Sequence, residues 1–186
     1  MKDILDQVMR FADEAHGAQM RKYTPERYIV HPIRVMETCR NYDASLPVLA
    51  AALLHDVLED TEVKKKEMLA FLQNIMSDSD AQATVMLVEE LTDVYVKSAY
   101  PKWNRTQRKI KEVERIRDTS SQAQTIKYAD IIDNTSEITL HDPDFAPRYL
   151  YECLEILKIA DKGNKDLHKT ALSEVSKKLC YLEKKL

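Results

Sequence analysis

SLPVLAAALLHDVLEDT, residues 45–61, is the stretch that decides the fold. From Val48 through Leu54 it is apolar at every position, so a helix built from it is apolar on nearly all sides and belongs in the middle of a bundle. Ser45 stands where an N-cap is expected. The run then changes abruptly to His55, Asp56, Glu59 and Asp60. Ionisable side chains at the end of a buried helix are costly unless they are paired or bound to a metal, so this step asks for a chemical reason.

Outward from this segment, apolar residues recur at three- and four-residue spacing almost throughout, and no stretch alternates as a strand would. Ile4, Leu5, Val8, Phe11, Ala12 and Ala15 make one stripe on a first helix. A polar loop with Pro25 follows. Then comes His31-Pro32, where Pro32 suits the first turn of a helix running to about Tyr42. Downstream, helices are expected over about 63–76, 81–95 and a charged segment after Tyr100, Trp103 and Asn104. Others are expected over TIKYADIIDNTSEI (125–138), about 147–160 and about 167–185, with Gly163 as a helix stop between the last two. The expectation is an all-α, single-domain bundle of about eight to ten helices over residues 1–186.

Composition agrees. The 186 residues contain only two glycines, Gly17 and Gly163, too few for tight hairpins or Gly-rich phosphate loops. A formal charge of −3 provides no global field for nucleic acid or an anionic membrane, so any anionic substrate must meet local basic groups. Cys39, Cys153 and Cys180 are odd in number and lack C-x-x-C spacing, which suits reduced core thiols. The N-terminal residues interleave acids with apolar residues, unlike a signal peptide, and no segment has the length of a bilayer span; a cytoplasmic location is expected. The amphipathic terminal helices suit a monomer or a homodimer.

Adjacent helical residues such as His55 and Asp56 point about 100° apart, yet both can reach a cation off a helix end. Imidazole with carboxylate suits manganese, iron, cobalt, nickel or zinc better than calcium. His31, at a helix entrance, and Asp130, inside the mostly apolar IKYADII (126–132), are the best further ligands. Taken singly, each has an ordinary role: a helix cap, a hydrogen-bonded core histidine, salt-bridged aspartates. As a group of four, they favour one divalent cation.

The order H…HD…D, carried by AHGAQMRKYTPERYIVHP (15–32), AALLHDVLEDT (51–61) and KYADIIDNT (127–135), resembles the HD-domain superfamily. It is most similar to the RelA/SpoT-type branch, including small alarmone hydrolases that remove the 3′-pyrophosphate of (p)ppGpp. The resemblance spans about residues 8–158. It implies a helical, manganese-dependent enzyme with His31, His55, Asp56 and Asp130 as ligands. It further implies that Glu59 orients or deprotonates the attacking water, that Asp60 supports it, and that Asn134 lies near the scissile phosphate and sugar. Glu59 could instead be a solvated acid near Lys64 or Lys65, and Asn134 a helix cap. Arg21-Lys22 matches the family's basic pair beside the nucleotide; a solvated loop pair is the other reading. Arg105 and Arg108 form a second basic group within reach of phosphates, and Arg148 is a third.

The sequence departs from the branch at Ile131, where an arginine is usual, at Tyr23-Thr24-Pro25-Glu26-Arg27 in place of a glycine-containing turn, and at Glu137, where a small hydroxyl residue is common. The expected activity is hydrolysis of (p)ppGpp or a related nucleotide to GDP or GTP and pyrophosphate, with a small-molecule nucleotide as partner and no role for nucleic acid or membrane. The rivals are an HD phosphohydrolase of another phosphate ester and a helical module that binds metal or nucleotide without turnover.

Overall fold

A computed structural model describes residues 1–43 and 45–184. Among them are ten α-helices and one isolated antiparallel bridge, Met20 with Arg27, so the all-α expectation holds. The residues group into two compact units, Met1–Thr92 and Asp93–Leu186.

The first unit is built around α3 (Leu46–Leu54), in which Val48 to Leu54 are at most 1% exposed. A helix apolar all round needs neighbours on several sides. It has them in α1 (Lys2–His16), α2 (Val30–Arg40) and α6 (Asp78–Leu91). Each of its buried leucines contributes about 1.5–3 kcal/mol relative to exposure. The short α4 (Val57–Asp60) touches α1, and α5 (Lys65–Gln73) packs on α6. Phe11 of α1 stacks on Phe71 of α5 with centroids 4.2 Å apart. The first helix ends at Gly17, whose φ of +55° is costly for any residue with a Cβ. Ser45 occupies the N-cap position of α3 in extended backbone, but its hydroxyl makes no cap bond; instead its own N–H donates to Asp43 Oδ1 at 3.0 Å.

In the second unit, α8 (Ser121–His141) packs on α9 (Ala146–Ile159) and α10 (Lys165–Glu183), and α7 (Arg105–Asp118) packs on α9. Side chains of Asn104, Ser120 and Asn164 accept N–H bonds at the starts of α7, α8 and α10. Buried Glu112 of α7 accepts the N–H groups of Val94 and Tyr95, both at 3.1 Å, and pairs with Arg115, so its charge is satisfied locally.

Several boundaries differ from the expectation. The helix expected to run on through HDVLEDT breaks at His55-Asp56, because the His55 ring bonds the Ala52 carbonyl beside the break. Gly163 does not stop a helix: α9 ends at Ile159 with Ala160 as its C-cap, and the glycine is needed for the close approach of its backbone to Tyr128. Cys180 is exposed, whereas Cys39 and Cys153 are buried. The expected end of the last helix at position 185 lies outside the described residues. No described helix is long and apolar enough to cross a membrane.

Candidate metal centre

The break between α3 and α4 makes the site. In an unbroken helix His55 and Asp56 would diverge; at this joint His55 Nε2 stands 3.1 Å from Asp56 Oδ2. From the first turn of α2, His31 brings its Nε2 to 3.6 Å from the same oxygen. The two imidazoles meet edge to face with centroids 5.1 Å apart. His31 and His55 are 1% and 4% exposed, while the Asp56 side chain is 21% exposed, so the cluster has protein behind it and an open side at the carboxylate.

His55 Nδ1 lies 2.8 Å from the Ala52 carbonyl. A carbonyl oxygen only accepts, so Nδ1 carries the proton and Nε2 presents its lone pair to the cluster. Nitrogen and oxygen ligands at 2.0–2.2 Å from a first-row cation keep neighbouring donors about 3 Å apart. One donor atom from each of His31, His55 and Asp56 lies within 4.8 Å of the others, so the set fits a divalent transition metal.

Around this cluster, Tyr28 donates its phenol proton to Asp56 Oδ2 at 2.6 Å. The amides of Glu59 and Asp60 are bonded to the Asp56 carbonyl at 3.2 and 2.8 Å, which ties the start of α4 to the ligand residue. Both acids are exposed. Gln19 donates to Asp60 Oδ2 at 3.4 Å and takes part in a 2.8 Å bond with Nδ1 of buried His16. Lys64 and Lys65, the cations that a merely solvated Glu59 was expected to meet, pair with Glu62 at 3.9 Å and Glu89 at 2.8 Å. In the loop between α1 and α2, the Arg21 guanidinium lies 5.6 Å above the Tyr28 ring, and Lys22 donates to the Tyr23 hydroxyl at 2.7 Å.

In the second unit, Asp130 is buried on α8 with both oxygens held from its own helix. Lys127 donates to Oδ2 at 2.8 Å and Asn134 to Oδ1 at 2.6 Å. Asn134 is therefore inside α8 and caps nothing. Ile131 is buried at 1% exposure, and Glu137 is also buried. Arg105 is engaged by Glu152 through two bonds of 2.9 and 2.6 Å, which raises its pKa; Arg148 lies 3.6 Å from the same carboxylate. Arg108 donates to the Trp103 carbonyl. A cavity of about 570 Å³ lies along α7 and α9, with Ile110, Val113 and Ile156 on its walls and Lys127 and Arg148 among its charged lining.

Tyr28 and Lys127 fall inside the motifs that carry the resemblance, yet sequence alone assigned them nothing. Lys127 has a signal, the i, i+3 spacing to Asp130. Tyr28 has none, since its contact with Asp56 spans 28 positions.

A family model described as HD domain matches residues 9–156. A Borreliella burgdorferi protein named guanosine-3′,5′-bis(diphosphate) 3′-pyrophosphohydrolase is 29% identical over 181 residues, 93% of this chain and 25% of the relative. The chain thus spans a quarter of that relative's length. The Xenopus tropicalis protein of the same name with the suffix MESH1 is 33% identical over 139 residues, 72% of this chain and 69% of that one. A solved structure described as a metazoan ortholog of SpoT that hydrolyzes ppGpp superposes with a TM-score of 0.75 at 24% identity, covering 92% of this chain and 93% of the other, which shows a shared fold. A family match over most of the chain and a relative aligned over two thirds of its own length leave one conclusion: this chain belongs to the HD-domain family, whose divalent-metal dependence accords with the cluster of His31, His55 and Asp56.

Proposed function

We propose that the chain acts as one HD-type domain, residues 1–186, that hydrolyses the 3′-pyrophosphate of (p)ppGpp or a related nucleotide to GDP or GTP and pyrophosphate, in the cytoplasm and with Mn²⁺. The observation that carries this reading is the convergence of His31 Nε2 and His55 Nε2 on Asp56 Oδ2 at 3.6 and 3.1 Å, with Glu59 and Asp60 on the next turn. The names of the relatives supply the substrate class. Asp130 is proposed as the fourth ligand from its place in the H…HD…D order.

When bound, the cation supplies a Lewis acid that lowers the pKa of water and polarises a phosphoryl oxygen. Glu59 is exposed and its amide is bonded to the Asp56 carbonyl; its carboxylate is proposed to accept the proton of the attacking water, with Asp60 in support. Arg21 and Lys22 supply positive charge to the pyrophosphate, and Asn134 contributes an amide to the nucleotide end. Arg105, Arg108 and Arg148 are proposed as outer phosphate contacts, each after exchange of its present partner.

The test is pyrophosphate release from ppGpp with added Mn²⁺, comparing wild type with Asp56→Ala and Glu59→Ala. Turnover abolished by the first substitution and greatly reduced by the second supports the reading. No turnover by metal-loaded wild type overturns the substrate, and release of inorganic phosphate in place of pyrophosphate moves the assignment to another phosphate ester.

A further inference from the structure

Tyr28 touches His16, Gln19, Arg21, His31 and Asp56 in the first unit. Its backbone is fixed on both sides, the N–H donating to the Gln19 carbonyl at 2.9 Å and the carbonyl accepting the His31 N–H at 3.0 Å. Its ring lies 4.5 Å from buried His16, meets His31 edge-on at 5.9 Å, and carries the Arg21 guanidinium at 5.6 Å. Its hydroxyl reaches Asp56 Oδ2 at 2.6 Å, the oxygen on which both histidines converge.

We propose that Tyr28 is a positioning residue of the metal centre, its phenol holding Asp56 Oδ2 beside the two imidazole nitrogens that converge on it. The carboxylate can only accept, so the phenol keeps its proton and donates. Asp56 needs such a hold. It lies at a joint between two helices, its side chain is the most exposed of the three at 21%, and a donated hydrogen bond to Oδ2 fixes the orientation in which that oxygen faces His31 and His55. Partners that orient a ligand in this way are worth about 10–100-fold in metal affinity. Tyr28 also joins the centre to the loop bearing Arg21, because one ring provides both the phenol and the face on which the guanidinium rests.

The inference rests on the metal reading of the cluster and not on the substrate, so its test contains no nucleotide. Mn²⁺ affinity is measured by electron paramagnetic resonance of free Mn²⁺ for wild type, Tyr28→Phe, Tyr28→Leu and, as a control for phenol removal elsewhere, Tyr151→Phe. The expected result is an affinity at least fivefold weaker in both Tyr28 variants, equal in the two within about twofold, with the control unchanged. Less than fivefold weakening in Tyr28→Phe overturns the proposal. So does a loss seen only in Tyr28→Leu, which would assign the effect to ring packing. A wild type without saturable Mn²⁺ binding overturns it together with the metal reading. For a destabilised variant, the rise in melting temperature on adding Mn²⁺ reads the same affinity, and rises equal to that of wild type refute the role.

Discussion

Replacing Gly163 by alanine places a methyl group where the second unit has no room. The new Cβ would lie 2.5 Å from Cε2 and 2.9 Å from Cζ of Tyr128, and 2.9 Å from the Thr125 backbone nitrogen. Ordinary contact requires about 1 Å more, and neither neighbour can easily yield. Tyr128 is fully buried and its hydroxyl donates to the Ala160 carbonyl at 2.5 Å, while Thr125 is in the second turn of α8. The glycine N–H bonds the Tyr128 hydroxyl at 3.2 Å, and the next residue's N–H bonds Thr125 Oγ1 at 2.9 Å. Overpacking costs about 1–3 kcal/mol. Weakening of those two bonds adds about 0.5–1.5 kcal/mol each. The sum is about 2–6 kcal/mol, or roughly 4–24 °C in melting temperature for a chain of this length. Gly17→Ala is the internal comparison: its nearest neighbour would be 3.8 Å away and only its φ of +55° is unfavourable, so it should cost about 1–2 kcal/mol. Urea unfolding and calorimetry of both variants decide the matter. A Gly163→Ala protein no less stable than Gly17→Ala would refute the close-approach account.

Glu59→Gln should lower kcat for pyrophosphate release by about 10²–10⁴-fold. Mn²⁺ affinity should be unchanged and stability should move by no more than about 0.5 kcal/mol, as suits an exposed side chain; loss of metal in this variant would instead make Glu59 a ligand. With a thiol reagent at pH 8, exposed Cys180 should react quickly in the native protein, and Cys39 and Cys153 only after unfolding. A second fast thiol would contradict the described burial. Burial pushes the Cys153 thiol up from 9.0 to about 12. The unfolded chain then loses that proton first, so this contribution to stability is intact below pH 9 and declines from pH 9 toward 12. Unfolding measured from pH 8 to 11 should show the decline, reduced in Cys153→Ala.

The helices could be read from the chain because their signals are local. An apolar face at 3.6-residue spacing, a run such as Val48–Leu54 and a scarcity of glycine act over a few turns whatever surrounds them. The end of α3 could not be read in the same way, since the break at His55 depends on a side chain choosing the Ala52 carbonyl. Gly163 looked like a helix stop for a similar reason: Tyr128, the neighbour that requires it, lies 35 positions away.

The site divides along the same line. Residue types and order were enough to single out His31, His55 and Asp56, because ionisable groups beside an apolar run are costly without a purpose, and the motif that carries them resembles a known family. The resemblance also implied roles for Glu59 and Asn134, each about one helical turn from a residue it names as a ligand. Only the tertiary structure decided that one carboxylate oxygen is the meeting point, that a tyrosine from the preceding loop holds it, and that Lys127 and Asn134 secure both oxygens of Asp130. Spacing along a helix determines which side chains share a face, whereas a hydrogen bond across 28 residues depends on how loop and helix joint pack, which no local pattern encodes.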